Sequence, residues 1–291
     1  MAQRRGGRGS RRPRVAETVR SDDGRAELRP DPERPHGRLL NVGGVPQSYV
    51  DLADPTYLGF EYMRLMGDVI DCLGTGREPL DVVHVGGGAC TLARYVAATR
   101  PGSRQLVLEP DAELVGFVRE HLPLRDVRGL RVRVVDGRAG VRALPDASDD
   151  LLVLDAFADT AMPAELATEE FAREARRVLR PSGVHLVNLA DGHRLEFARR
   201  MVVTVRSIFP RTLLLADPGV LRGRRFGNLV LAASAVDLPE AELTRRAASG
   251  MVRARCMDGE ALAGFAAGAA PLRDGGEVSV PVPPERLFGR P

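Results

Sequence analysis

The sequence predicts an α/β fold, a doubly wound and mostly parallel sheet, and three observations carry that expectation. Short apolar runs alternate with helical stretches along most of the chain. The runs are nearly continuous in apolar residues, as suits strands covered on both faces. Glycine or acidic residues stand at the carboxyl ends of four runs, where such sheets bind ligands. Together these describe a Rossmann-like sheet.

The elements follow in order. Asp54 reads as an N-cap and Pro55 as a first helical residue. Leu58, Tyr62, Leu65, Met66, Val69 and Ile70 then recur at helical spacing, ending near Gly74. Asp81–Val85 is a strand feeding Gly86-Gly87-Gly88, and Thr91–Thr99 is a helix closed by Pro101. A strand over Gln105–Leu108 ends at Glu109, and Asp111–His121 is the next helix. Strands over Arg131–Val135 and Asp150–Leu154 end at Asp136 and Asp155. A helix over Thr168–Leu179 stops at Pro181 and Gly183. Val184–Leu189 is a strand, Arg194–Ile208 a long helix, and Leu213–Leu215 and Leu229–Ala232 are two further strands.

Four segments are expected: a tail (1–38), a lead-in with a helix (39–80), the Rossmann-like body (81–235) and a C-terminal extension (236–291). The tail carries eleven Arg and six acidic residues, against 31 and 33 in the remainder. It is Arg-, Gly- and Pro-rich with almost nothing apolar to bury, so it is expected to be disordered. Deleting residues 1–36 should then cost only a few degrees of melting temperature. Such an arm can bind RNA or DNA by charge. The plainer reading, a solvated extension or an early start codon, is preferred.

Composition narrows the classes. With 291 residues, 44% hydrophobic and 28% charged, the chain can bury a full core and is not globally disordered. Aromatics are 4% with no Trp, against a nucleic-acid stacking platform. All 42 basic residues are Arg, which excludes a Schiff-base lysine and a Walker-type loop. Cys72, Cys90 and Cys256 are odd in number and widely spaced, and the five histidines lack ligand spacing. No metal or disulfide framework is expected, and the usage fits a reducing, cytoplasmic setting. No apolar run is long enough to span a bilayer, and no hydrophobic stretch follows the basic start as in a secretory signal.

The chemistry gathers at the four strand ends. Gly86, Gly87 and Gly88 let a ligand approach the backbone at a helix N-terminus. They do not complete G-x-G-x-x-G, since the last position is Thr91. Glu109 follows about 20 residues later, the spacing at which an acid reaches ribose hydroxyls in nucleoside-binding folds. The plainer alternative is a cap on the next helix. Asp136 with Gly137 is placed to meet an adenine amino group, or is a common aspartate-glycine turn.

V-G-G-G, L-E-P-D, V-V-D-G-R and L-V-L-D-A-F, in this order, resemble the spermidine synthase (aminopropyltransferase) family, which shares the class I S-adenosylmethionine methyltransferase fold. The likeness extends to Gln47–Asp51, Phe60-Glu61-Tyr62, Arg180–Gly183 and Gly227–Leu231. It implies that Gln47, the glycine turn, Glu109 and Asp136-Gly137 hold a nucleoside co-substrate. This would be S-adenosylmethionine or its decarboxylated form. It also implies that Asp155 is the base that takes a proton from an attacking amine. The departures are specific. Ala89 stands where the family has an Asp for the aminopropyl amine, and Gly59 replaces a Tyr. The catalytic run Asp155-Ala156-Phe157-Ala158-Asp159 carries its second acid one place late. Ala89→Asp is therefore expected to shift preference toward the decarboxylated form.

The resemblance thus implies a cytoplasmic transferase for a small amine or other acceptor with an altered acceptor pocket, and polyamine synthesis as its setting. A methyltransferase and a catalytically silent nucleoside-binding regulatory module are the alternatives. Homodimer formation stays open, and no membrane partner is expected.

Overall fold

The computed structural model describes residues 17–75, 77–158, 160–250 and 253–284. An antiparallel four-stranded sheet comes first: β1 (Val19–Arg20), β2 (Ala26–Pro30), β3 (Gly37–Val42) and β4 (Val45–Asp51). The main sheet holds β5 (Asp81–Val85), β6 (Arg104–Glu109), β7 (Leu130–Val134), β8 (Asp149–Leu154) and β9 (Leu179–Asp191). It continues with β10 (Arg211–Ala216), β11 (Gly227–Ser234) and β12 (Arg255–Met257). Its order is β12-β10-β11-β9-β8-β5-β6-β7. The five strands from β9 to β7 run parallel, and β11, β10 and β12 add an antiparallel wing. The α/β, mostly parallel expectation holds.

Both faces are covered, which explains the near-continuous apolar runs. Along β8, Leu152 and Leu154 face Phe171 of α5 (Glu169–Val178) and Met201 of α6 (Glu196–Arg206). Leu151 and Val153 face the opposite cluster, with Met66 of α1 (Glu61–Asp71) and Val96 of α2 (Thr91–Thr99). These four strand residues are at most 2% exposed. Each contributes about 1.5–3 kcal/mol by leaving water.

Three expectations need correction. Within the expected tail, residues 1–16 lie outside the described residues, but β1, β2 and the start of β3 belong to the N-terminal sheet. Ala26, Leu28 and Leu40 are buried against Phe117, Val118 and Leu122, at α3 (Ala112–His121) and just beyond it. Alternate apolar residues on short strands, every second one facing α3, supply burial that overall composition hides. Next, Asp54 caps no helix. Its carboxylate accepts from the N–H and hydroxyl of Thr56 in a turn, and α1 starts seven residues later at Glu61. The expected C-terminal extension is built into the fold. It adds α8 (Glu240–Ser249) and the edge strand β12, and α9 (Gly259–Phe265) packs Leu262 into the core.

The end of α5 also differs from expectation. The helix gives way at Leu179 directly to β9, and residues 180–183 loop out between the Asp149–Leu179 and Leu151–Val184 pairs. Arg180 uses that bulge to reach Asp81 on β5 and Asp150 on β8, both at 2.7 Å. Pro181 sits where the ladder is interrupted, a position that needs no N–H donor.

Candidate active site

The glycine turn leaves β5 at the carboxyl edge of the sheet, in front of α2. Gly86 has φ 97° and Gly88 φ 46°, and Cys90 at the helix N-cap is also left-handed at φ 57°. A Cβ at Gly86 would collide with the Asp155 carbonyl, and one at Gly88 with the Ser48 hydroxyl. The turn is clamped from both sides. Ser48 Oγ on β4 accepts from the Ala89 N–H at 3.1 Å, and Arg94 Nε donates to the Ala89 carbonyl at 3.1 Å. The N-terminal sheet is thus one wall of the site.

Glu109, at the end of β6, points back toward the turn. Its Oε2 accepts from Gly87 N at 2.8 Å and its Oε1 from Asp111 N at 3.0 Å. A carboxylate offers about four acceptor positions, so it can still accept from hydroxyl donors in the cavity it lines. Burial pushes the Glu109 carboxyl above its ordinary range, opposed by the Gly87 and Gly88 N–H groups. Asp136 caps α4 (Gly137–Arg142), accepting from Ala139 N at 2.9 Å. Asp136 and Gly137 line the same cavity, of about 310 Å³, with Gly86 to Gly88 and Gln47. That volume and donor set fit a nucleoside.

A second cavity of about 420 Å³ adjoins the first, and Gln47, Tyr62 and Phe157 line both. Asp155 lines the first cavity, and its partners Tyr62 and Asn188 line the second. Its backbone N–H donates to Val85 O at 2.9 Å, which fixes the end of β8 beside β5. Its carboxylate accepts from Asn188 Nδ2 at 2.7 Å and from the Tyr62 hydroxyl at 3.3 Å. Asn188 in turn accepts from Asn228 Nδ2 at 3.0 Å. Burial raises Asp155 to about 6, against the lowering effect of these two neutral donors. A carboxyl that titrates near neutrality and faces a cavity is suited to accept a proton there.

All the expected residues therefore meet around the two adjoining cavities: Gln47, Gly86, Gly87, Gly88, Glu109, Asp136, Gly137 and Asp155. Asp159 lies outside the described residues. Ala89 departs from expectation: it is fully buried among Leu28, Leu40 and Phe117. Ala89→Asp would push a carboxylate into that apolar cluster, so loss of stability replaces the expected change of preference. Gly59 has a local cause, because a Cβ there would meet the Tyr49 ring at 2.7 Å.

Sequence reasoning gave no role to Ser48, Tyr62, Asn188 and Asn228. One signal was available: Asn188 interrupts the buried run of β9, and a buried amide needs a partner. Among the described residues, no group of three His, Cys, Asp or Glu could hold a metal ion. No helix there is long and apolar enough to cross a membrane.

The chain is similar to known proteins. Residues 83–187 match a methyltransferase domain family. The solved structure of a probable spermidine synthase from Corynebacterium glutamicum is 32% identical, with a TM-score of 0.83. That match takes in 92% of this chain and 99% of the other. A Thermotoga maritima spermidine synthase shares the fold at 18% identity and a TM-score of 0.57, over 81% of this chain and 78% of its own. A curated polyamine aminopropyltransferase from Chromobacterium violaceum is 26% identical over 157 residues, 53% of this chain. This chain spans only 59% of that relative's length.

Proposed function

Because the chain belongs to the spermidine synthase-like family of transferases on the class I methyltransferase fold, we propose that it moves an alkyl group from an S-adenosyl-type sulfonium to an amine. The observation that carries this reading is Asp155 on the wall of the nucleoside-sized cavity, held by Asn188 and Tyr62, which line the adjoining one. Glu109 would hold the ribose of the nucleoside co-substrate, Asp136 and Gly137 its adenine, and Gln47 the sulfur-bearing end.

At neutral pH an amine acceptor is an ammonium and has no lone pair to give. Asp155 as carboxylate attracts that cation across the junction and takes one proton from it. The freed nitrogen pair forms a bond to the carbon attached to sulfur. The carbon–sulfur bond breaks with its electrons passing to sulfur, which leaves as a neutral thioether. Positive charge thus moves from sulfur to nitrogen, and the proton on Asp155 returns to solvent. Asn188 and Tyr62 support this by holding both carboxylate oxygens in place while leaving them charge-neutral partners.

Aminopropyl and methyl transfer use the same step and differ in the leaving group. Methyl transfer is the second reading, supported by the match of residues 83–187 to a methyltransferase domain family. Product analysis separates them: methylthioadenosine signals aminopropyl transfer and S-adenosylhomocysteine methyl transfer. Binding of methylthioadenosine by calorimetry with no product from either co-substrate across a panel of amines would leave a silent nucleoside-binding module. No nucleoside binding at all would defeat the proposal.

A further inference from the structure

The charge pattern of the second cavity selects a class of amine. Four of the chain's thirteen aromatic residues line it, namely Phe60, Tyr62, Phe157 and Phe226. The rings of Phe60 and Tyr62 stack with centroids 6.0 Å apart. Among the described residues, its lining carboxylates are Glu61 and Asp217. Both are committed. Arg225 Nη2 donates to Glu61 Oε2 at 3.2 Å, and its Nε lies 3.4 Å from Asp217 Oδ1. The same Asp217 oxygen accepts from Gly219 N at 2.6 Å and Val220 N at 3.2 Å, as the cap of α7 (Pro218–Leu221). In the adjoining cavity, by contrast, the hydrogen-bond partners of Asp155 are both neutral.

We propose that the acceptor is a monoamine with an aromatic or bulky apolar body, its ammonium at Asp155 and its body among the four rings. Arg225 sets this choice by occupying the carboxylates that would otherwise receive the second ammonium of an α,ω-diamine. The inference rests on the transferase reading above. A diamine's second cation would meet carboxylates whose charge the Arg225 guanidinium already partly offsets, and would shed water to do so. An aromatic body instead exchanges water for apolar surface and ring edges.

The test is calorimetric titration of phenethylamine and of putrescine into protein saturated with methylthioadenosine. It is run at about pH 8, where Asp155 is ionised. The native protein should bind phenethylamine at least about tenfold more tightly than putrescine. Arg225→Gln should move that ratio about tenfold toward putrescine while methylthioadenosine affinity holds. Tighter binding of putrescine by the native protein overturns the proposal, as does an unchanged ratio in a folded Arg225→Gln. Should that variant not fold, the native ratio alone decides. Failure of methylthioadenosine to bind counts against the transferase reading, and the amine ratio is then measured without nucleoside.

Discussion

The two cavities are neighbours but are specified in different ways. The nucleoside-facing one is made of turns and strand ends, with Gly86 to Gly88, Glu109 and Asp136 each doing local backbone work as well. The acceptor-facing one is made of side chains from β4, α1, β9 and the segment between β10 and β11. A turn that needs left-handed residues and a cap that needs a carboxylate leave marks in a few consecutive letters. A cavity assembled from distant segments leaves none, and its residues are free to diverge.

The largest expected effect tests the boundary between the halves. Asp155→Asn should lower turnover roughly 10²- to 10⁴-fold while leaving methylthioadenosine affinity near native, since the residues proposed to hold the nucleoside are Gln47, Glu109, Asp136 and Gly137. In the native protein, the raised Asp155 must be ionised to act. The rate should therefore fall as pH drops through about 6, and that limb should be missing from the variant's pH–rate profile. A nucleoside affinity that collapses together with turnover would erase the division.

Glu109→Ala should do the converse. It removes two charge-assisted bonds to the ribose, each worth about 1.5–3 kcal/mol, and unties Gly87 and Asp111. Methylthioadenosine affinity should fall tens-fold or more by calorimetry. Glu109→Gln, which keeps the shape, should fall less. An unchanged affinity in the alanine variant would remove the ribose assignment.

Leu28→Ala asks whether the wall shared by both halves is structural. Leu28 is 3% exposed and packs beside Ala89, Phe117 and Leu122. Its truncation should cost about 2–5 kcal/mol, read as a lowered melting temperature by calorimetry. A melting temperature within a degree of native would restore the expectation of a dispensable tail.

A last comparison sets the site against the core. His84 and His185 are buried, and desolvation lowers both to about 4. Their folded pKa is depressed, so the unfolded chain binds more protons between about 4 and 6.5. Stability should fall as pH drops through that window, by up to about 3 kcal/mol for each histidine. Asp155 acts in the opposite sense, its raised pKa favouring the folded state as pH falls below 6. Denaturant melts of His185→Phe should show a shallower decline than native, and an identical slope would show that His185 does not titrate there.

The parallel half of the fold was legible because its strands are apolar throughout and its helices carry clear starts, such as Thr168 accepting from Phe171 N. The N-terminal strands were hidden by composition, since Arg-rich outer faces mask Ala26 and Leu28 on the inner one. At the site, Glu109 and Asp155 stood out as acids at strand ends. Tyr62 did not, because a tyrosine at an apolar helical position reads as core until the fold brings it to Asp155. Arg225 was indistinguishable from 41 other arginines until its two carboxylate partners could be seen.

Ser48 and Gln47 are adjacent on β4, one fastened to the glycine turn and the other lining both cavities. Whatever settles on the turn also settles this strand, and with it one face of the neighbouring chamber. A ligand that shifts this strand would link the two sides, and the linkage is reciprocal: each ligand would change the other's affinity by the same factor. For the catalytic cycle this favours a fixed order of addition, with the sulfonium donor first and the amine entering a chamber its predecessor has finished shaping. Such an order keeps a reactive alkyl donor from waiting in an incomplete site, and it would appear as intersecting initial-rate lines with the amine unable to bind productively alone.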